Sequence, residues 1–241
     1  MPGSVNTVVK EINDAKGEAI HIQCDVRNDK DIASAVDTCI ERFGGLDAVV
    51  YNAGAILHEK VMNTPLKRFD LMHSVNDRGA YCMVQHILPH FLQKQSGKII
   101  LVSPPIYNRF FRGKTPYAIT KVGMTVLVHG LANELKGTGV SISTLWPATA
   151  IKSFVTEKWK VPDKHMRNAE IFGDAVLAVA NETTEKYNGQ ALIDEDLLRS
   201  IGVTDFSKYR CDPAHEPERM MPQKFPSLLV EEEDEVAFPK L

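Results

Sequence analysis

The feature that most constrains the fold is a regular alternation of segments with strand and helix periodicity. Short apolar runs predict strands at residues 19–24, 46–51, 98–102, 140–146 and 190–194. Apolar positions spaced by three and four predict helices at residues 7–16, 115–136 and 168–181. A further helix is predicted to begin at Asp29 or Asp31 and to end at Phe43. A long helical stretch is predicted from Pro65 to about residue 95, with an interruption near Gly79. The run Ala48-Val49-Val50 is typical of a strand covered on both faces. The alternation therefore predicts an α/β fold, with a parallel sheet between two layers of helices.

Length and charge exclude several classes of protein. The chain has 241 residues, enough for one large domain or two small ones, and 28 basic residues against 31 acidic ones. A net charge of −3 gives no general attraction for phosphate backbones, so nucleic acid is not an expected partner. No apolar run reaches the length of a membrane span, which argues against an integral membrane protein.

The cysteines, histidines and N-terminus bear on compartment and metal. Four scattered cysteines are too few for a disulfide scaffold, and the eight histidines show no metal-ligand spacing. The first residues lack the basic start and apolar core of a secretory signal. We therefore expect an intracellular, reducing environment and no metal site.

The sharpest chemical signal is the pair Tyr117 and Lys121, four residues apart on a predicted helix. This spacing places both side chains on one helix face. A phenol titrates near ~10, and a nearby cation favours its anion, which would suit it to acid–base chemistry. Taken alone, such a pair is more often packing beside a solvated charge.

Three further polar residues lie at the ends of predicted strands or between them. Ser103 follows one strand, fourteen residues before Tyr117, and Asn52-Ala53-Gly54 follows the strand before it. Asn76 lies within the helical region between those two strands. Each has a simpler interpretation: a loop hydroxyl, a turn former and a helix-bend cap. Open parallel sheets bind ligands at the carboxyl ends of their strands, so the set together predicts a site there.

With these residues in place, the sequence resembles the short-chain dehydrogenase/reductase family over roughly residues 2–210. Asn52-Ala53-Gly54 matches the family's N-A-G motif, and Asp25-Val26 matches the pair that contacts the adenine. Four further positions match its tetrad: Asn76, Ser103, Tyr117 and Lys121. The resemblance implies a Rossmann-like, doubly wound parallel sheet and an NAD(P)-dependent oxidoreductase acting on a hydroxyl or carbonyl.

The resemblance also implies a role for each matched residue. Tyr117 would exchange a proton with the substrate oxygen, and Lys121 would lower its pKa and bind the nicotinamide ribose. Ser103 would orient the substrate, and Asn76 would carry a proton relay. Pro147 and Ile151 would lie against the nicotinamide. Asp25, Val26, Asn52, Ala53 and Gly54 would complete the cofactor site.

The segment at residues 152–167 would form a lid over a small-molecule substrate. Its apolar residues suit a lipid-like substrate, although an amphipathic surface helix would look similar: Phe154, Val155, Trp159, Val161 and Met166. The family also makes a homo-oligomer possible. The sequence carries no code that identifies the substrate further.

The sequence departs from the family's pattern at its N-terminus. Family members begin with a strand, a glycine-rich turn and a helix whose N-terminus holds the pyrophosphate. Only Gly3 and Gly17 precede Asp25. We therefore expect residues 1–210 to form an incomplete domain without the first two strands and the phosphate-binding loop. In that case residues 19–24 either stay unpaired or pair directly with 46–51, the native sheet is not kept, and NAD(P) binding is doubtful.

Two interpretations follow. In one, the chain belongs to a functional reductase whose numbering starts at an internal methionine. In the other, it is a catalytically inactive truncated isoform or a binding or regulatory protein. An in-frame glycine-rich turn in the coding sequence upstream of Met1 would distinguish them, as would a stop codon there.

The last 31 residues predict an extended or disordered tail. Residues 211–241 are polar and rich in proline, with an acidic run at 231–235. The chain ends Pro239-Lys240-Leu241, close to the peroxisomal S-K-L address. The family adds peroxisome or mitochondrion as the expected location, with the cytoplasm otherwise.

Overall fold

A computed structural model describes residues 4–230 of the chain. The strands are β1 (Ala48–Tyr51), β2 (Gly97–Leu101), β3 (Val140–Trp146), β4 (Ala150–Ile151), β5 (Met166–Arg167) and β6 (Ala191–Ile193). The first helices are α1 (Val5–Asp14), α2 (Asp29–Phe43), α3 (Leu66–Val75), α4 (Asp77–Lys94) and α5 (Asn108–Phe111). The later helices are α6 (Thr115–Glu134), α7 (Phe154–Lys158), α8 (Glu170–Ala180) and α9 (Asp194–Ser200). Within these residues, no helix combines the length and hydrophobicity needed to span a bilayer.

The main sheet has four parallel strands in the order β1-β2-β3-β6. Strands β4 and β5 form a small separate parallel pair. Each of the four main strands lies within one to two residues of its sequence prediction, and helices separate them along the chain. The predicted α/β fold with a parallel sheet is confirmed.

Two apolar cores lie on opposite faces of the sheet, because successive side chains of a strand point to opposite sides. Ile99 and Leu101 of β2 face a core made with α2, α4 and α6. Ile100, between them, faces a second core made with α8 and α9. This arrangement confirms the two predicted helical layers.

The ends of α2 show how local sequence sets an element. Asn28 caps the helix, its side-chain oxygen accepting from the Lys30 N–H at 3.1 Å. The cap predicted at Asp29 or Asp31 is therefore one residue or more too late. Both carboxylates lie in the first turn, where a negative charge interacts favourably with the positive end of the helix dipole. Gly44 ends the helix at φ 76°, a conformation that glycine adopts without steric cost.

The break between α3 and α4 falls at Asn76, not near Gly79. Gly79 lies inside α4, and a Cβ there would come within 2.2 Å of the Tyr51 hydroxyl oxygen. The glycine therefore permits close packing of α4 on β1 and does not interrupt the helix.

The predicted strand at residues 19–24 does not form. The segment stays unpaired, which was one of the two predicted outcomes. A strand needs a neighbour for its backbone groups, and β1 pairs only with β2 in residues 4–230. Val50 of β1 is 41% exposed, so the prediction that both faces of this strand are covered is wrong. The other four strands pair with one another, so a parallel sheet forms without the strands that the sequence analysis expects to be missing.

Residues 211–225, which we call the strap, run without helix or strand across the end of the sheet. Glu216 binds Arg167 at 2.5 Å and Arg210 at 2.6 Å. Arg219 binds Asp196 through both carboxylate oxygens, at 2.6 and 2.7 Å. The acidic run at 231–235 and the terminal Pro239-Lys240-Leu241 lie outside the described residues.

Candidate active site

A cavity of about 430 Å³ opens at the carboxyl ends of β1, β2 and β3. Six residues that the sequence singled out line it: Asn52, Gly54, Tyr117, Lys121, Pro147 and Ile151. They come from the ends of β1 and β3, from β4 and from α6. The structure thus brings together residues from distant parts of the chain where parallel sheets place ligands.

Tyr117 and Lys121 lie in the first turns of α6, and both are almost fully buried. The Lys121 ammonium donates to the Val102 carbonyl at 2.8 Å, just beyond β2. Burial lowers the pKa of Lys121 to about 8. The sequence predicts that Lys121 lowers the phenol pKa, but in this structure burial dominates and raises the pKa of Tyr117.

Asn76 is fully buried and its amide is committed to backbone and side-chain partners. Its Nδ2 donates to the Ala55 carbonyl at 3.0 Å and to Thr120 Oγ1 at 2.8 Å, while its Oδ1 accepts from the Ala55 N–H at 2.8 Å. Asn76 therefore fastens the loop after β1 to α6. With both amide hydrogens engaged, a proton relay through this side chain stays a prediction.

Thr120 is a site residue that sequence reasoning missed. Its hydroxyl accepts from Asn76 and donates to the Tyr117 carbonyl at 2.9 Å. The sequence shows that Thr120 lies between Tyr117 and Lys121, but it does not show which groups the threonine hydroxyl hydrogen-bonds.

Ser103 lies behind the cavity wall. Its side chain is fully buried, and its Oγ is 3.0 Å from Thr125 Oγ1, which also donates to the Pro104 carbonyl at 2.7 Å. Ser103 is not among the residues that line the cavity. Its predicted contact with a substrate carbonyl stays a prediction.

The remaining predicted cofactor residues are elsewhere. Asp25 binds Arg27, whose guanidinium holds the pKa of that carboxyl well below its usual range. Val26 and Ala53 pack against the core shared by β1, α2 and α4. None of these three residues lines the cavity.

The loop after β3 forms the opposite wall and is fastened by two acidic residues at the start of α9. Asp194 accepts from the Ala148 N–H at 2.8 Å, and Glu195 accepts from the Thr149 hydroxyl at 2.9 Å. Burial raises the pKa of Asp194 to about 7. Sequence reasoning assigned these carboxylates no role, although two acidic residues directly after a buried strand are a usable signal.

A second, larger cavity of about 720 Å³ adjoins the first. Tyr117, Trp146, Pro147, Ile151 and Ser153 line both, so the phenol stands at their junction. Further parts of its wall come from the loop after β1, from α5 and the residues before α6, from α7 and the residues that follow it, and from the strap. Val155, Trp159 and Val161 of the predicted lid line this cavity, whereas Phe154 and Met166 do not.

Comparison with known proteins agrees with this geometry. The sequence model of the short chain dehydrogenase family matches residues 2–162. Hydroxysteroid dehydrogenase-like protein 2 of Danio rerio is 37% identical over 219 residues, which are 89% of this chain and 52% of that protein. The chain thus spans about half the length of the curated relatives it matches.

Solved structures show the same fold. A putative dehydrogenase from Xanthomonas campestris is 35% identical with a TM-score of 0.84, over 96% of this chain and 84% of that one. A 7α-hydroxysteroid dehydrogenase complexed with NADH and 7-oxo glycochenodeoxycholic acid has a TM-score of 0.69 over 78% of each chain, at 20% identity, which shows likeness of fold alone. On the family match and the identities, this chain belongs to the short-chain dehydrogenase family.

Proposed function

We propose that the protein is an NAD(P)-dependent oxidoreductase that acts on a hydroxyl or carbonyl group of a lipid-like substrate. The observation that carries the proposal is the position of Tyr117. Its ring stands between two cavities, with the Lys121 ammonium on the side of Asn52 and Gly54 and an apolar cavity on the other. An acid–base group between a cofactor pocket and a substrate pocket is the arrangement that hydride transfer with proton transfer requires.

The smaller cavity fits the nicotinamide and ribose half of NAD(P). A Cβ at Gly54 would lie 3.6 Å from both Lys121 Nζ and Asn76 Oδ1, so the absent side chain leaves room beside a hydrogen-bond donor and an acceptor. Pro147 and Ile151 supply an apolar wall for a flat ring. Lys121 and Asn52 would hold the ribose hydroxyls, and the cofactor would supply the hydride when bound.

The chain's own residues would carry out the proton transfer. Because burial raises the pKa of Tyr117, the phenol is protonated at neutral pH and can donate to a carbonyl oxygen that gains negative charge. Lys121, with its pKa lowered to about 8, is charged at neutral pH and stabilises the phenolate that remains. Asn76 and Thr120 fix the backbone around this pair, and Ser103 would orient the substrate after a side-chain rotation.

The larger cavity supports a lipid-like substrate. Its volume lies within the usual range of ~300–1,000 Å³ for small-molecule sites, and its wall includes Trp159, Val161 and Phe110. The strap adds Met220 and Met221, so the cavity has apolar surface on several sides.

A second candidate function is a catalytically inactive or regulatory protein. The open edge of β1 favours it, because in residues 4–230 no strand or glycine-rich turn flanks β1 where the family places the pyrophosphate. On this basis we propose that the 241-residue chain binds NAD(P) more weakly than a complete family member. A homo-oligomer is compatible with both functions.

The test combines a binding and a turnover measurement on the 241-residue chain. Titration of NADH and NADPH, followed by cofactor fluorescence, should show no affinity at the micromolar level. With either cofactor at millimolar concentration, reduction of a medium-chain aliphatic ketone should be measurable, and Tyr117→Phe should lower its rate by about 10²-fold or more. The control Tyr81→Phe removes the hydroxyl of an exposed tyrosine.

Each function has its own outcome. Turnover that survives Tyr117→Phe contradicts the assigned acid–base role. Absence of turnover with both cofactors favours the second candidate function. Micromolar cofactor affinity contradicts the expectation that the open edge of β1 weakens cofactor binding, on which the second candidate function rests.

A further inference from the structure

The larger cavity contains a cationic group that the proposed reaction does not use. Lys114 precedes α6, and its ammonium lies 4.2 Å from the centroid of the Phe110 ring. No carboxylate in residues 4–230 lies within 4.0 Å of it; Glu218, the acidic residue of this cavity wall, is exposed and forms no ion pair with it. A partly buried ammonium without a counter-ion is costly, so an anion that reached it would be bound favourably.

The other titratable groups of the cavity do not compensate this charge. Burial, together with the charge of Lys114, lowers the pKa of His58 to about 4, so that ring is neutral. The Arg109 guanidinium donates to the Met220 carbonyl and adds a second cation to the wall. The cavity therefore carries a net positive charge at one end of an apolar wall.

Lys114, just before α6, and Tyr117, in its first turn, both line the larger cavity beside the Phe110 ring: the Lys114 ammonium is 4.2 Å and the Tyr117 ring centroid 6.2 Å from the Phe110 centroid. From these positions we infer that the substrate is an oxo or hydroxy carboxylic acid with an aliphatic chain, whose carboxylate binds Lys114 while its carbonyl or hydroxyl lies at Tyr117. The aliphatic chain would run along Trp159, Val161 and the strap. This inference rests on the proposed function and names the substrate class for that site.

The spacing also limits where the reacting group lies on the substrate. Because both groups lie near the same Phe110 ring, we place the carboxylate and the carbonyl of the substrate only a few carbon atoms apart. The two tryptophans of the chain, Trp146 and Trp159, both line the larger cavity. Intrinsic fluorescence therefore reports on binding in this cavity without any cofactor.

The experiment titrates the chain with 4-oxononanoate and, separately, with its neutral methyl ester, following tryptophan fluorescence. We expect the acid to bind about tenfold or more tightly than the ester. Lys114→Met should remove this preference and leave the affinity for the ester nearly unchanged, and Lys114→Arg should keep it. Lys67→Met, at an exposed lysine of α3, is the matched control.

Several outcomes would overturn the inference. These are equal affinities for acid and ester in the unmodified chain, a preference that survives Lys114→Met, or no fluorescence change with either ligand. Circular dichroism of Lys114→Met shows whether the variant is folded, and the charge-retaining Lys114→Arg gives an independent reading. Because no cofactor is added, binding can fail while turnover is present, or the reverse, so failure of this inference is distinguishable from failure of the proposed function.

Discussion

Burial acts in opposite directions on the two central side chains of the candidate site. It raises the pKa of Tyr117 and lowers that of Lys121, because each shift favours the uncharged form of the group. The proton affinities of the phenol and the ammonium are consequently further apart than they are in water, and the phenol holds its proton more tightly.

The shifted pKa of Lys121 predicts a pH-dependent stability. The unfolded lysine titrates near ~10.4 and the folded one near 8. Between these values the unfolded chain holds a proton that the folded chain does not, so the free energy of unfolding should rise with pH across this window. Lys121→Met lacks this rise, and relative to the native chain its stability should fall by up to about 3 kcal/mol from pH 7 to pH 10.

Urea unfolding of both chains across that pH range measures the effect. The control Lys136→Met removes an exposed lysine at the end of α6. A difference between Lys121→Met and the native chain that stays constant with pH would contradict the prediction.

For individual residues, the sequence predicts which side chains lie together in the candidate site but not all of their contacts. Tyr117, Lys121 and Asn52 were predictable because strand ends and helix spacing fix their positions. The conformation of Ser103 was not, because it depends on Thr125, twenty-two residues away on the neighbouring helix. The fastening of Ala148 by Asp194 depends likewise on a contact across forty-six residues.

Among the elements, the strap is held in part by a buried cation. Arg167 is 1% exposed and binds both Glu195, at 2.7 Å, and Glu216 of the strap. Removing one member of a buried ion pair leaves the others uncompensated and typically costs about 3–5 kcal/mol. We therefore expect the first part of the strap to loosen when this cluster is broken.

Arg167→Met should destabilise the chain by about 3 kcal/mol or more and release the strap. Limited trypsin digestion followed by mass spectrometry should show faster cleavage after Arg219 and Lys224. Lys208→Met breaks a largely exposed pair with Asp174, which should cost little stability and leave the strap protected. Equal cleavage rates in the two variants would show that Arg167 does not hold the strap.

Among the predicted elements, the one that failed was the strand at residues 19–24. Its apolar pattern is that of a strand, but strand formation depends on a partner elsewhere in the chain, which a local pattern does not contain. The strap was predictable as an extended segment from its prolines, but its packing was not, because Arg167 and Glu216 are forty-nine residues apart.

For the whole molecule, the consequential feature is the open edge of the main sheet. The outer backbone of β1 pairs with no strand in residues 4–230, and Val50 projects from this strand into solvent. An exposed apolar edge strand is a template for pairing with another chain. We therefore expect the chain to self-associate as its concentration rises.

Val50→Lys should reduce this association, because a charge on an edge strand opposes pairing. Val126→Lys changes a comparably exposed valine on α6, at 57% exposure against 41%, and should have little effect. Static light scattering over a concentration series measures the difference. The prediction fails if both lysine variants lower the scattering equally.

The strap also affects how the substrate preference of such a molecule can evolve. It carries Glu218, Met220 and Met221 into the wall of the larger cavity, while Tyr117 and Lys121 belong to a helix encoded about a hundred codons earlier. Substitutions confined to a few consecutive codons of the strap would reshape the substrate wall and leave the proton-transfer pair untouched. Substrate preference and chemistry can therefore evolve separately in this chain, with selection for a new substrate acting first on the strap.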